Sequence, residues 1–212
     1  MIDKLVLRRT FSDQLMIRIE SLNIPMEASI TAEGEVYGLR HAWERIPSSY
    51  APMAFKAFDF RDSMKDGSAF IEIKASPAKL MQGHNVFGSD DVKLCALSLI
   101  ELLAETYPLC FSELNQETWE VVEVDITYFS RLKDQRETTQ FINALQNVSS
   151  GQTKSRTGYS GTAYFGKKNS RIKSIKVYDK EGEVREYLKK LDKTGDVDDL
   201  LKFYSPELLS FT

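Results

Sequence analysis

A tyrosine between two lysines is the feature of this chain that could most directly do chemistry. Tyr178 lies in residues 173–180, where apolar and polar residues alternate as they do in a β-strand. Side chains two positions apart share a face of a strand, so Lys176 and Lys180 would flank Tyr178 at roughly 7 Å. Their ammonium groups would favour the phenolate and attract a phosphodiester, as a tyrosine nucleophile requires. The pattern also fits a surface strand whose aromatic ring packs under lysine stems.

Acidic side chains on two other predicted strands could bind a divalent cation. Glu72 and Lys74 alternate with isoleucines in one strand, and Glu123 and Asp125 alternate with valines in another. If these strands and the tyrosine strand are neighbours in one sheet, the three carboxylates and Tyr178 share a face. Mg²⁺ or Mn²⁺ takes oxygen ligands and offsets the charge that develops during in-line attack on a phosphate. A half-solvated antiparallel sheet shows the same alternation without any metal.

The Gly-rich residues 79–88 contain a further candidate ligand, His84. This residue could bind a metal or contact a phosphate, but a histidine in such a turn also suits a purely structural hydrogen bond. The segment is not a P-loop, because no Gly-Lys-Ser/Thr sequence follows its glycines. The chain has two histidines and two cysteines, too few for a zinc site built from those residues.

Positive charge is concentrated in one part of the chain. The protein carries a net charge of −3, but residues 151–180 hold eight cationic residues and one acidic residue, a net charge of +7. This separation favours an anionic partner that binds at one place. The candidate nucleic-acid contacts are Lys154, Arg156, Lys167, Lys168 and Arg171 in that segment, with Lys74 and Lys79 outside it.

No apolar run approaches the length of a membrane span, and the N-terminal segment is too short and too charged for a signal peptide. We therefore expect a soluble cytoplasmic protein that has no membrane partner.

The elements that must position these residues indicate an α+β fold. Periodicity predicts strands at residues 2–9, 53–60, 68–75, 119–129, 162–165 and 171–180, and helices at 90–106, 134–148, 183–191 and 197–203. Residues 149–160 are predicted to form a polar, basic loop. This order suits a central antiparallel sheet with helices packed on one face. The other face would stay open, as in many proteins that bind single-stranded nucleic acids.

Several motifs resemble the gene II/X family of phage and plasmid replication proteins. The most specific lies in residues 70–88, where Glu-Ile-Lys-Ala-Ser-Pro-Ala-Lys precedes Gln-Gly-His-Asn-Val-Phe-Gly. The first eight residues, Val-Asp-Ile-Thr at 124–127, and the segments 144–154 and 170–180 also match, in the order that the family shows. The resemblance therefore runs through most of the chain.

This resemblance implies an initiator of rolling-circle replication with a sheet like that of the Rep endonucleases. Such proteins nick one DNA strand at an origin through a 5′-phosphotyrosine and later join the displaced strand. The family's tyrosine falls on Tyr178, with Lys180 two residues on, and its strand aspartate falls on Asp125, an expected ligand of Mg²⁺ or Mn²⁺. Glu72 and His84 lie in matching blocks. The implied partners are double- and single-stranded origin DNA and a host helicase, in the cytoplasm of a bacterial host cell.

Family members usually run well past 212 residues. We expect residues 1–180 to form the nicking domain and residues 181–212 a C-terminal helical extension packed on it. A missing ligand or a missing origin-binding part leaves an alternative open. The chain would then be a non-catalytic nucleic-acid-binding fragment, for example an origin-binding or repressor module.

Overall fold

The computed structural model describes residues 1–10, 26–41, 43–46, 51–58, 70–108, 118–150, 153–157, 161–166 and 173–194. The strands are β1 (Ile2–Thr10), β2 (Met26–Ile30), β3 (Val36–His41), β4 (Glu44–Ile46), β5 (Met53–Phe58), β6 (Phe70–Ala75), β7 (Glu120–Ile126), β8 (Ser149–Ser150), β9 (Thr153–Thr157), β10 (Thr162–Phe165) and β11 (Ile175–Tyr178). The helices are α1 (Pro77–Gln82), α2 (Val92–Thr106), α3 (Gln135–Gln146) and α4 (Lys180–Thr194). The predicted α+β class is confirmed.

The chain forms two compact units, Met1–Tyr128 and Phe129–Thr212. The first unit contains a seven-stranded antiparallel sheet in the order β2-β3-β5-β6-β1-β7, with β4 paired to β5. The second contains a four-stranded sheet in the order β11-β10-β9-β8. The predicted division into a nicking domain, residues 1–180, and a C-terminal helical extension, residues 181–212, stays a prediction.

One face of the first sheet forms an apolar core with α2. The buried side chains of this core include Leu5, Leu7, Phe55, Ile71, Ile73, Cys95, Leu99 and Leu103. They come from alternate positions of β1, β5 and β6, which point to the same side of a sheet, and from one face of α2. Helix α2 starts where predicted, because the Asp91 carboxylate accepts hydrogen bonds from the backbone N–H groups of Lys93 and Leu94.

In the second unit, α3 packs against β9 and β10. The helix begins after Asp134, whose carboxylate accepts a hydrogen bond from the backbone N–H of Glu137. It buries Ile142, while β10 buries Ala163. The Gln146 side-chain amide also donates to the backbone carbonyl of Thr162 at 3.0 Å. The helix therefore holds the strand that lies beside the tyrosine strand.

Three local expectations differ from the structure, and a fourth is not tested by it. The predicted loop at 149–160 contains strands β8 and β9. The Gly-rich segment opens with a short helix, α1, whose first residue, Pro77, suits a helix start. The tyrosine strand ends at Tyr178, so Lys180 lies on α4 rather than on the strand. The helix predicted at 197–203 lies outside the described residues.

The condition that the acidic strands and the tyrosine strand share one sheet is not met. Strand β11, which carries Tyr178, pairs with β10 and belongs to the second sheet, whereas Glu72 and Asp125 belong to the first. The reason is a local hairpin. Gly166 has φ +98°, a conformation that favours glycine, and a Cβ there would lie 3.2 Å from the carbonyl oxygen of Lys173. Glycine at this position therefore allows the backbone of Lys173 to approach closely, and β11 pairs with β10, the strand before it in the chain.

Candidate active site

The three predicted carboxylates lie on the same face of the first sheet, opposite α2. Directly opposed residues of an antiparallel pair share a face. Register places Arg8 opposite Glu72, and Lys4 opposite Asp125. We call this surface the polar face; its charged side chains on β1, β4, β5, β6 and β7 include Lys4, Arg8, Arg45, Lys56, Glu72, Lys74, Glu123 and Asp125. The predicted sharing of a face by Glu72, Glu123 and Asp125 is therefore confirmed.

Two of these carboxylates are neutralised by cations from β1. Glu72 Oε1 accepts hydrogen bonds from Arg8 Nε at 3.1 Å and Nη2 at 2.6 Å. Glu123 Oε1 accepts one from Lys4 Nζ at 2.6 Å. Because β1 lies between β6 and β7, it supplies a counter-charge to the strand on each side. A metal ion would compete with these ammonium and guanidinium groups for both glutamates.

Asp125 differs from both glutamates, since it makes no hydrogen bond or ion pair with any residue that the structure describes. Partial burial raises the pKa of its carboxyl group, the Lys4 ammonium opposes this rise, and the carboxylates of Glu123 and Asp3 add to it. When burial and like charges raise the pKa of a carboxyl group, its ionised form is destabilised, so a bound cation stabilises that form strongly. Asp125 is thus the one of the three carboxylates that no described residue holds in an ion pair, and its role as a metal ligand stays a prediction.

No cluster of three or more His, Cys, Asp or Glu side chains arranged to hold a metal ion occurs within the described ranges. The donors that are present still fit Mg²⁺ or Mn²⁺. These cations commonly use one or two protein carboxylates and complete their coordination with water and substrate phosphate oxygens. Asp125 could supply one such carboxylate, and Glu123, two residues before it on the same face, could supply a second if it released Lys4.

His84 is held inside its turn. Its ring is 4% exposed, and Nδ1 lies 3.3 Å from the side-chain amide nitrogen of Gln82 and 3.4 Å from the backbone nitrogen of Val86. The ring also meets Phe87 edge-on at 4.6 Å between centroids. These contacts support the structural alternative, and the role of His84 as a metal ligand stays a prediction.

The His84 turn is attached to β1 through Asp3. The Asp3 carboxylate accepts hydrogen bonds from the Asn85 side-chain amide at 2.8 Å and from the Ser76 hydroxyl at 3.4 Å. The Gln82 amide closes the turn by donating to the Phe87 carbonyl. The most specific motif of the chain therefore has a clear structural role, in line with the structural alternative for His84, but its attachment to Asp3 was not predicted.

Tyr178 is half-buried on β11, opposite Thr162. The ammonium nitrogen of Lys176 lies 4.4 Å from the centroid of the tyrosine ring, and that of Lys180 lies 6.0 Å away. Both lysines are thus close to the phenol, although Lys180 reaches it from the first turn of α4. Lys180 also pairs with Glu183 at 2.9 Å. The arrangement fits a cation-flanked nucleophile, and it also fits a cation–π cluster.

Asp179 fixes the junction between the tyrosine strand and α4. Its carboxylate accepts hydrogen bonds from the backbone N–H of Gly182 at 3.0 Å and from the side-chain amide of Gln135 at 2.6 Å. The first bond caps α4, and the second connects the junction to α3. A Cβ at position 182 would lie 2.5 Å from Asp179 Oδ2. Sequence reasoning missed this junction, although Asp followed three residues later by Gly was a visible signal.

The predicted nucleic-acid contacts are only partly described. Lys154 and Arg156 lie on β9, opposite Ser149 and Tyr164 respectively. Lys74 lies on the polar face of the first sheet, and Lys79 is exposed on α1. The remaining predicted contacts, Lys167, Lys168 and Arg171, lie outside the described residues.

Comparison with known proteins gives a consistent family. The family described as the N-terminal part of the phage replication-associated protein, the product of gene II, matches residues 1–212. Salmonella phage IKe has a replication-associated protein of this kind that is 32% identical over 216 residues, which cover 91% of this chain and 51% of the relative. The protein of the same name from Enterobacteria phage fd is 31% identical over 240 residues, 100% of this chain and 58% of the relative.

The chain therefore spans about half the length of these curated relatives. No solved structure gave a significant match, so the likeness of the sheet to Rep endonucleases stays a prediction. Across the described residues, no helix combines the length and the apolar character needed to cross a membrane.

Proposed function

We propose that this chain, which belongs to the family of gene II replication-associated proteins through their N-terminal part, initiates rolling-circle replication by nicking one DNA strand at an origin. The observation that carries the proposal is the setting of Tyr178. In a chain of this family, the phenol is half-buried beside two ammonium groups, at a junction fixed by Asp179. Cations beside the phenol support this role, because they would stabilise both the attacking oxygen and the phosphate.

In the nicking step, the Tyr178 hydroxyl gives up its proton to solvent and its oxygen attacks the scissile phosphorus. The bond between phosphorus and the 3′ oxygen breaks, and that oxygen leaves as a hydroxyl after taking up a proton. The 5′ phosphate stays on Tyr178. Because the phosphotyrosine conserves the bond energy, a later attack by a 3′ hydroxyl can join the strand without ATP.

Lys176 and Lys180 act on both charged species of this step. Their ammonium groups favour the phenolate over the phenol, whose ordinary pKa is near 10. They also stabilise the negative charge on the non-bridging phosphate oxygens, an effect worth about 2–4 kcal/mol for a well-placed donor. Lys176 lies nearer to the ring and is exposed, so it has the larger share.

A bound Mg²⁺ or Mn²⁺ would supply Lewis-acid stabilisation of the scissile phosphate. Asp125 would hold that ion, with Glu123 and Glu72 as further candidate oxygen ligands that must first give up Lys4 and Arg8. His84 would instead keep the turn after α1 in place. The substrates and partners proposed here are double- and single-stranded origin DNA and a host helicase, in the cytoplasm of a bacterial host cell.

A non-catalytic DNA-binding module is the second candidate. It is favoured by the ion pairs that already neutralise Glu72 and Glu123, and by the lack of a ready metal cluster among the described residues. Such a module would bind origin DNA with steep salt dependence. It would need no metal and would tolerate Tyr178→Phe.

One experiment separates the two functions. The full chain is incubated with Mn²⁺ and single-stranded DNA from the origin of the encoding element, labelled at its 3′ end so that the strand left on the tyrosine carries the label. Denaturing gels then report covalent protein–DNA adducts. We expect an adduct from the wild type and none from Tyr178→Phe.

Tyr164→Phe is the matched control, because Tyr164 lies on the neighbouring strand with the same lysine, Lys176, 5.9 Å from its ring centroid. This variant should form the adduct normally. An undiminished adduct from Tyr178→Phe, or no adduct from the wild type, would exclude the nicking mechanism.

A further inference from the structure

Two aromatic rings on the polar face of the first sheet lie against cationic side chains. Lys74 Nζ lies 3.5 Å from the centroid of the Trp43 ring, and the Arg8 guanidinium carbon lies 4.3 Å from that of Phe70. Trp43 is nevertheless 37% exposed. A large aromatic ring left this accessible beside a cation is typical of a ligand-binding surface.

Sheet register places both rings on this face. Arg45 lies opposite Ala54, and Ala54 lies opposite Lys74, so Arg45 and Lys74 point to the same side. Trp43 precedes Arg45 by two positions, and its contact with Lys74 confirms the side. Phe70 precedes Glu72 by two positions on β6 and shares its face for the same reason.

The part of the polar face on β4, β5 and β6 carries a net positive charge. On β4, β5 and β6 the described charged side chains of the face are Arg45, Lys56 and Lys74, against Glu72, which pairs with Arg8 of β1. Burial lowers the pKa of Lys74, the ammonium groups of Lys4 and Lys56 add to the lowering, and the carboxylates of Glu72 and Glu123 oppose it. Cations that repel one another in this way favour an anionic ligand. Lys4 of β1 pairs with Glu123 of the adjacent strand β7, which also carries Asp125.

We infer that Trp43 and Phe70 form a stacking platform for the unpaired bases of single-stranded DNA, whose phosphates are bound by Lys74, Arg45 and Arg8. Exposed aromatic rings interleaved with cations are how proteins hold single strands without reading their sequence. A duplex offers its phosphates but not its base faces, so the rings specify an unpaired strand. The inference rests on the proposed function in one respect, namely that the ligand is the origin strand.

The test measures binding in EDTA, where no metal-dependent cleavage interferes. Full-length protein is titrated into a fluorescein-labelled single-stranded oligonucleotide, and anisotropy gives Kd. Trp43→Ala should weaken binding by about 5- to 100-fold, the range expected when one stacking contact is lost. Lys74→Ala should lower the slope of log Kd against log salt by about 0.7, the contribution of one phosphate contact to a single strand.

Tyr128→Ala is the matched control, because Tyr128 is 85% exposed in the same unit but follows β7. It should bind as the wild type does. A loss as large as that of Trp43→Ala would show non-specific aromatic contact and overturn the proposal. An unchanged Kd for Trp43→Ala would also overturn it, as would an equal loss of affinity for a duplex of the same sequence.

Tryptophan fluorescence of the wild type provides a second readout, which does not depend on Trp43→Ala folding correctly. Stacking of a base on Trp43 should quench part of the wild-type emission, and Trp43→Phe should remove that quenching while keeping an aromatic ring. Absence of quenching at saturating oligonucleotide would contradict the platform. A wild type that forms no tyrosine adduct with Mn²⁺ but loses binding on Trp43→Ala would refute nicking alone and leave this inference standing.

Discussion

Charged side chains have different partners on the acidic side of the first sheet and at the tyrosine junction of the second unit. On the first sheet, Lys4 and Arg8 hold Glu123 and Glu72 in ion pairs. Around Tyr178, the ammonium groups of Lys176 and Lys180 lie 4.4 and 6.0 Å from the centre of the phenol ring, and Lys180 also pairs with Glu183. Ion pairing therefore lowers the availability of the two glutamates to a metal ion, whereas in the proposed mechanism the lysines would stabilise the charge that forms on the Tyr178 oxygen. The existing partner of each predicted site residue therefore indicates how readily it could bind a metal ion or react.

Asp125 differs from the two glutamates in this respect, and its substitution should have the largest effect on the nicking rate. Asp125→Asn removes a carboxylate that no described residue holds in an ion pair, so we expect the rate of metal-dependent nicking to fall about 100-fold or more, equivalent to about 3 kcal/mol of transition-state stabilisation. Single-turnover nicking rates across a Mn²⁺ titration measure it. A wild-type rate in this variant would remove Asp125 from the reaction.

Substitution of Asp179 at the tyrosine junction should have the second-largest effect, on the rate of adduct formation. Asp179→Ala removes the cap of α4 and the bond to Gln135, which should cost about 1 kcal/mol of stability and slow adduct formation by about 10-fold, since misplacement of a nucleophile is costly. Asp179→Asn keeps a capping oxygen and should restore most of the rate. Gly182→Ala should resemble Asp179→Ala, because its Cβ would displace the Asp179 carboxylate.

A capped helix matters for catalysis only if the rate at saturating DNA falls while the Kd for DNA does not. If Asp179→Ala and Asp179→Asn lower the rate equally, the charge of the residue rather than its capping is what counts, and the positioning role is wrong.

Glu72 should contribute less to the reaction than to the fold. Glu72→Gln leaves the guanidinium of Arg8 without its charged partner in a partly buried setting, which we expect to cost about 1–2 kcal/mol and to lower Tm by a few degrees. The nicking rate at saturating Mn²⁺ should change less than about 10-fold, by comparison with Asp125→Asn. A larger loss than that of Asp125→Asn would reverse the assignment of the metal ligand.

The smallest effect concerns stability and pH. The pKa of Asp125 is raised in the folded chain above 3.8, so the folded state binds more protons than the unfolded state between these two values. Stability therefore falls as pH rises through the raised pKa. Asp125→Asn should melt slightly higher at neutral pH, by at most about 2 °C because solvent screens this partly exposed group. Thermal melts of the two proteins across pH measure this difference, which should vanish near the ordinary pKa of an aspartate, about 4.

How far the sequence predicted this molecule depends on the distance between the residues involved. Alternation correctly assigned Glu72, Glu123 and Asp125 to one face, because the side-chain period of a strand is a local property. It could not show that β7 lies at the end of the strand order, where Val124 and Ile126 remain 37% and 52% exposed. Strand order depends on contacts between distant segments, which periodicity does not report.

The same limit explains the tyrosine strand. Its polar face was predicted correctly for Lys176, which lies two residues from Tyr178. The strand's end was not, because Asp179 competes for the backbone by capping α4. The choice of sheet was also missed, since the hairpin at Gly166 pairs β11 locally. The ion pairs of Lys4 and Arg8 join residues 119 and 64 positions apart, so no local pattern could indicate them.

The most direct test of the account is to identify the residue that becomes linked to DNA. Wild-type protein is incubated with origin single strand and Mn²⁺, digested with protease and nuclease, and analysed by peptide mass spectrometry. We expect the nucleotide remnant on Tyr178, within the peptide that ends at Lys180 after trypsin cleavage. A remnant on any other tyrosine, or an adduct-free digest from DNA that has been nicked, would contradict it.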